Sequence, residues 1–366
     1  MRWKDELKEC VCTVQELKQY VRLKKKEERQ LQEVVHVHPM RITRYYLSLI
    51  NKDDPNDPLR KMIVPSPDEL DMAGTYDTSG EKENTISPGL QHKYRQTALI
   101  LATNRCAQYC RFCFRKRLIG LPSQEILRRF GEAIDYIQEH GEINNVLVSG
   151  GDPLILPTRI IRHFLEKLSV IDHLDFIRFG SRVPVAFPQR IYGDKQLLRL
   201  LKKYSWKKRR IYVVTHFNHP REITDESIEA VDSLFRSNVV VNNQAVLMRG
   251  VNDDPAVLAE LMNKLVAIGV NPYYLFQCRP VKRVKHHFQV PIYEGVRIVE
   301  EAKKQLNGHS KRFRYVMSHK SGKIEILGTM GKDVYFKYHQ AKNERDSGRF
   351  FRRKLNVAGG WLDDFD

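Results

Sequence analysis

Cysteine is scarce in this chain: there are six in 366 residues. That is too few for a disulfide framework in a protein of this length, so the use made of those few matters more than their number. Long apolar runs are also missing. None approaches the roughly 18 consecutive apolar residues of a membrane-crossing helix, and the start, Met1-Arg2-Trp3-Lys4-Asp5-Glu6, lacks the apolar centre of a secretory leader. No internal repeat or low-complexity tract breaks the pattern. These absences argue against a membrane span and a secreted disulfide scaffold, and for a reduced, cytoplasmic setting.

Acidic residues are outnumbered, 44 against 62 basic ones, which gives a formal net charge of +18. A basic surface attracts phosphate, so nucleic acid has to be weighed. The basic residues are dispersed, however, with short runs only at 22–26, 202–210 and 352–354. No aromatic–basic alternation of an RNA-binding module accompanies them. Solvated helix faces and anionic ligands account for the charge better, and an RNA-binding protein is kept as the alternative. With 42% apolar and 29% charged residues, the composition is that of an ordinary globular protein. The length allows one large α/β domain with extensions, or two domains.

Three of the six cysteines stand together. Cys106, Cys110 and Cys113 form a C-x3-C-x2-C array directly after the apolar run Thr97–Thr103, which reads as a buried strand. Three thiolates on one tight loop suit three irons of a [4Fe–4S] cluster and leave the fourth iron open to a small ligand. A structural zinc site would need a fourth ligand and a different spacing. With Phe112 just before the third cysteine, the array resembles the signature of radical S-adenosylmethionine enzymes, whose open iron is chelated by the amino and carboxylate groups of S-adenosylmethionine. Cys10 and Cys12 fall in residues 4–35, where Leu7, Val11, Val14, Leu17 and Val21 recur at helical spacing. Two positions apart on a helix they face different sides, so they read as plain thiols.

A proline-punctuated segment follows, with a short helix at 45–50, and residues 72–93 read as a polar surface loop. From residue 97 the pattern becomes strand, helix, strand. Apolar runs at 97–103, 145–148, 176–180, 211–215, 239–246 and 273–277 alternate with amphipathic stretches at 123–139, 158–168, 195–203, 224–237 and 255–268. Ser123 and Thr224 are good helix caps, and Asp254-Pro255 is a cap followed by proline at the first helical position. Alternation of this kind implies a parallel sheet with right-handed crossovers. Six units predict an open (β/α)6 partial TIM barrel, with a helical N-terminal extension over 1–94, a core over 95–290 and a C-terminal segment over 291–366. Chemistry in such a barrel sits at the C-terminal ends of the strands.

Each strand end carries polar residues. After the second strand comes Ser149-Gly150-Gly151-Asp152, in which two glycines permit close backbone approach and a carboxylate can accept from an ammonium group. The third ends in Gly180-Ser181-Arg182-Val183-Pro184, the fourth in Thr215-His216-Phe217-Asn218-His219-Pro220, and the fifth carries Asn243-Gln244. Together with His38–Thr43, Tyr109–Gly120, Asn243–Asp253 and Pro272–Cys278, these segments resemble lysine 2,3-aminomutase and its relatives, in order, over roughly residues 38–330. That resemblance implies an isomerase that uses pyridoxal phosphate beside the cluster and S-adenosylmethionine. A 5′-deoxyadenosyl radical takes a hydrogen from Cβ, and the amino group moves from Cα to Cβ.

Carried over residue by residue, the resemblance places Gly150, Gly151 and Asp152 at the amino group of S-adenosylmethionine. It places His216 and Gln244 near the same cofactor, Arg182 in a matching motif, and Arg115 at the pyridoxal phosphate group. The pyridoxal lysine corresponds best to Lys323 in Ser321-Gly322-Lys323, with Lys320 as a rival. The family's glycine run is mostly absent here, and an ordinary turn lysine in a hairpin between 313–317 and 324–327 is the bland alternative. The two aspartates that bind the lysine side chain in the family are absent as well. Arg279 stands at the first position, and Val316, Met317 and Ser318 lie near the second. A cationic side chain would be repelled by Arg279, so a glutamate-like, or otherwise anionic or neutral, amino acid is the expected substrate. The family's zinc cysteines are also missing, which predicts no zinc. A reductant such as flavodoxin or ferredoxin and a homo-oligomeric state are expected. Within enzymes, the alternatives are radical chemistry without pyridoxal phosphate, and the branch that makes β-lysine for an elongation factor; outside enzymes, the alternative is a basic iron–sulfur protein that binds RNA. Residues 335–366, rich in Tyr, Phe and Arg and ending Gly359-Gly360-Trp361-Leu362-Asp363-Asp364-Phe365-Asp366, receive no role.

Overall fold

The computed structural model describes residues 3–365. Among these residues one sheet of twelve strands runs in sequence order. We number them β1 (Thr85–Ser87), β2 (Leu90–Tyr94), β3 (Thr97–Thr103), β4 (Asn145–Gly150), β5 (Phe176–Gly180), β6 (Arg210–Thr215), β7 (Val240–Leu247), β8 (Asn271–Gln277), β9 (Arg314–His319), β10 (Gly322–Met330), β11 (Asp333–Ala341) and β12 (Phe350–Lys354). From β3 to β9 every pairing is parallel, and the flanks β1–β3 and β9–β12 are antiparallel.

The parallel strands are short and apolar because both faces are covered. Val146, Val148, Ile177, Phe179, Ile211, Val213, Val241 and Ala245 are all buried. The crossovers are the helices Phe130–Glu139, Thr158–Leu168, Lys195–Tyr204, Asp225–Arg236, Pro255–Ala267 and Ile292–Lys304. Two of the caps act as expected. Thr224 accepts from Ser227 N, and Asp254 accepts from the amides of Ala256 and Val257 ahead of Pro255.

The six expected strands are present, and the parallel sheet then continues. Residues 313–317 do form a hairpin with 324–327, but β9 also pairs in parallel with β8, Tyr274 opposite Arg314. A seventh parallel strand therefore lies beyond residue 290. The sheet also curls until its flanks meet: Lys93 Nζ on β2 donates to His319 O at the end of β9 at 2.6 Å, and Arg95 pairs with Glu344 at 3.1 Å.

Three local expectations are corrected. Residues 4–35 are three helices, Trp3–Lys8, Val14–Leu17 and Lys25–Val37, because Val11 leaves the helix to pair in antiparallel fashion with Ile42. Cys10 and Cys12 thus lie in non-helical chain. The polar stretch 72–93 contains β1 and most of β2. The helix expected from 123 begins at Phe130, since Ser123 Oγ accepts only from Glu125 N and ends a local turn there.

Candidate active site

At the C-terminal ends of the parallel strands lies a cavity of about 360 Å³. Every site residue singled out in the sequence lines it: Cys106, Cys110, Cys113, Arg115, Gly150, Gly151, Asp152, Arg182, His216, Gln244, Arg279 and Lys323. They come from β3 through β10 and the loops after them, so the barrel gathers what is scattered over more than half of the sequence.

The glycines of the β4 turn serve packing against the cysteine loop. Gly150 has φ +109°, and a Cβ there would stand 2.4 Å from Thr103 O. At Gly151 a Cβ would stand 2.2 Å from Arg105 O. Without side chains the turn closes on that loop, and Gly151 N and Asp152 N donate to Thr103 O and Arg105 O at 2.5 and 2.8 Å. Asp152 is thereby fixed beside the cysteines. Its carboxylate accepts from Ser181 Oγ and Arg182 N, both at 2.7 Å, and burial lifts its pKa to about 6 against those donors.

The cysteine loop is held from the outside by Glu69, which is fully buried and accepts from Arg111 Nε and Nη2 at 2.8 and 2.7 Å as well as from Lys116. Burial pushes all three thiols up, Cys113 to about 11. A cation supplies part of the compensation a thiolate needs: Arg182 Nη1 donates to Cys110 Sγ at 2.8 Å. The same guanidinium pairs with Glu222, donates to Tyr46 Oη at 3.1 Å, and lies over the rings of Tyr46 and Phe112. Among the described residues no group of three or more His, Cys, Asp or Glu is gathered tightly enough for a single metal ion. A four-iron cluster makes no such demand, because each thiolate takes its own iron. The donor set therefore fits a cluster. His216 stacks on Phe112 with centroids 5.8 Å apart, and burial, then Arg182, lower its pKa to about 3, so it is neutral.

The far side of the cavity is cationic. Arg279 is turned inward: Nη1 donates to Ser79 Oγ at 2.8 Å and the guanidinium lies 4.0 Å over the Phe114 ring. Burial lowers its pKa to about 10. Arg115 is buried, with Nε on Glu81 at 3.0 Å and Nη1 on Ser149 Oγ and Gly150 O, both at 3.2 Å. Burial opposes the charge of Glu81, yet Arg115, Arg117 and Arg279 outweigh it and hold the carboxyl at about 2. Lys323 lies on β10 opposite Ser318 and Gln340, with Nζ 4.3 Å over the Tyr274 ring. Burial, then Arg178, Lys93 and Arg279, bring its pKa to about 7. Its rival Lys320 has an exposed side chain beside Asp363 and does not line the cavity.

Four lining residues had no signal in the sequence. Glu81 and Lys93 come from the stretch read as a loop. Arg178 lies inside a strand, where its arginine looks like a strand-face residue. Gln108, between the first two cysteines, is buried with both amide atoms unpaired.

A curled parallel sheet with three cysteines at its rim is the frame of a radical S-adenosylmethionine enzyme, and a family model for the radical SAM superfamily matches residues 100–262. A putative L-lysine 2,3-aminomutase of Aquifex aeolicus (strain VF5) is 41% identical over 351 residues, 96% of this chain and 94% of that protein. L-lysine 2,3-aminomutase of Clostridium subterminale is 41% identical over 85% of this chain and 73% of its own length. Glutamate 2,3-aminomutase of Clostridioides difficile (strain 630) is 39% identical over 81% and 69%. This chain belongs to the L-lysine 2,3-aminomutase family, and it is an isomerase of the radical type. Enzymes of this class carry a [4Fe–4S] cluster and S-adenosylmethionine, act on small molecules and take an electron from a reductant.

Proposed function

We propose that this chain is a pyridoxal phosphate-dependent amino-acid 2,3-aminomutase whose substrate has an anionic, glutamate-like side chain. The observation that carries the reading is Lys323: an amine with its pKa brought to about 7, facing the same cavity as the three cysteines. A lysine that condenses with a carbonyl must be largely neutral at working pH, and burial among cations is how proteins achieve that. When bound, pyridoxal phosphate supplies the means for the amino group to shift between Cα and Cβ after the cluster and S-adenosylmethionine have provided a hydrogen-abstracting radical.

The chain's own residues have distinct tasks. Cys106, Cys110 and Cys113 hold the cluster, and Arg182 offsets its charge. Asp152, next to Gly150 and Gly151, accepts from the ammonium group of S-adenosylmethionine, and neutral His216 with Gln244 lines the same part of the cavity. Arg115, held in plane by Glu81, is the cation for the phosphate group. Arg279 selects the substrate: with Lys93 and Arg178 nearby and Glu81 already paired, that wall favours a carboxylate over an ammonium group. The buried walls keep water from the radical.

Residues 95–290 form the radical core in this reading, and 291–366 supply the pyridoxal lysine. An acidic carrier such as flavodoxin or ferredoxin suits the basic chain as reductant, within the cytoplasm. Exposed Phe350 on the edge strand β12 supports a homo-oligomer. Among the described residues no helix is long and apolar enough to cross a membrane. Borohydride trapping with peptide mapping tests the reading. A label on Lys323 supports it, and a protein that holds its cluster yet takes no label would leave radical chemistry without pyridoxal phosphate.

A further inference from the structure

The C-terminal residues 359–365 are woven into the back of the site. Gly359 O accepts from Ile292 N at 2.8 Å, and Gly360 O accepts from Gln277 Nε2 and Gln289 Nε2 at 2.9 and 3.3 Å. Gln289 Nε2 also donates to Cys278 O at 2.8 Å, the carbonyl directly before Arg279. Gln277 closes β8 itself, and Tyr315 Oη donates to its Oε1. This end of the tail therefore holds the strand terminus that carries Arg279.

The other end of the tail holds the turn before Lys323. Asp363 Oδ1 meets His319 Nε2 at 3.1 Å, and His319 Nδ1 meets Ser321 Oγ at 2.7 Å. Trp361 is buried near the His319 ring. The carbonyl of His319 accepts from Lys93 Nζ at 2.6 Å, so the second cavity lysine is tied into the same point. The two glycines of this segment are closely packed. A Cβ at Gly360 would stand 2.4 Å from Gln289 Oε1, and one at Gly359 2.8 Å from the Phe365 ring.

We propose that residues 359–365 act as a clasp that sets the position of Arg279 relative to Lys323, and thereby the match between substrate side chain and reacting amine. The clasp rests on the reading of Arg279 and Lys323 given above. Gln277, Gln289 and His319 are positioning residues: they touch the tail and the two strand termini, and they act through Arg279 and Lys323. A covalent tail with three separate attachments holds two strand ends at a lower entropic cost than a free loop would.

The test uses the full chain with cluster, comparing wild type, Gly360→Ala and Asp363→Ala. Hydrogen–deuterium exchange is followed in peptides covering 277–281 and 318–323, with β4 to β6 as the internal reference. Binding of L-glutamate and of L-lysine is measured by equilibrium dialysis. The clasp predicts at least tenfold faster exchange in both segments of Gly360→Ala, unchanged exchange in β4 to β6, and a fall of at least fivefold in the glutamate-over-lysine preference. Asp363→Ala, which leaves the Gly360 contacts intact, should loosen 318–323 alone. Unchanged exchange in both segments of folded Gly360→Ala overturns the clasp. A wild type that binds the two amino acids equally would instead overturn the substrate reading, and the exchange result would stand on its own.

Discussion

Arg182 donates through Nη1 to the Sγ of Cys110 at 2.8 Å while its other nitrogen pairs with the buried carboxylate of Glu222. One guanidinium thus joins the end of β5 to the middle cysteine of the array. A charge-assisted donor at a sulfur ligand favours the more negative, reduced cluster. We expect Arg182→Lys, which retains a cation for Glu222 but loses the planar fork, to fold and bind iron. Its cluster should have a lower reduction potential in an EPR-monitored titration, and turnover should fall on the order of tenfold, about 1.4 kcal/mol. An unchanged potential would remove Arg182 from the cluster's surroundings.

Arg279 gives the sharpest prediction about the substrate. It is half-buried and faces the cavity over Phe114, where an outward-pointing side chain would have had no bearing on selection. Arg279→Asp puts a carboxylate in place of one cation of that wall. Like charges juxtaposed in a buried site cost several kcal/mol, so the preference between L-glutamate and L-lysine should move by roughly 100-fold or more toward lysine. Competition assays with the two amino acids measure it, and a preference that does not move would rule Arg279 out as the selector.

Glu69 concerns stability. It is fully buried and joins Arg111 and Lys116 beneath the cysteine loop. Burial alone would raise its pKa, but the two cations outweigh it and hold it at about 2, below the ordinary 4.5. With the folded value depressed, its contribution is fully present above about 4.5 and is lost as the pH falls toward 2. Glu69→Gln leaves two buried cations unmatched and should cost about 3–5 kcal/mol. Urea unfolding at neutral pH gives the size. The acid limb between pH 4.5 and 2 should flatten in the variant.

How much of this was legible in the sequence follows from how local each signal is. The β/α core could be read because its strands are continuous apolar runs and its helices announce themselves through Thr224 and Asp254-Pro255. The cysteine triplet and the strand-end motifs are local too, and they converge in one cavity. What escaped was non-local. The partner that makes β9 a seventh parallel strand is β8, nearly 40 residues earlier, while its hairpin partner β10 is adjacent and dominates the local pattern. Val11 has helical spacing, but its pairing with Ile42 decides its conformation. Glu81 and Lys93 sit in polar, turn-rich sequence, and only the curl of the sheet brings them to the cavity. The tail carries no periodicity at all, and its meaning lies in Gln277, Gln289 and His319.

The measurement that bears most directly on the whole account is borohydride trapping of the pyridoxal phosphate-loaded protein as a function of pH, with peptide mapping of the label. The account predicts a label on Lys323, none in Lys323→Ala, and an extent of attachment that rises with pH as the amine loses its proton, with a midpoint near 7 because the folded pKa is lowered from 10.5 to about 7. A label on Lys93 or Lys320 in place of Lys323, or no label on a protein that retains its cluster, would contradict it.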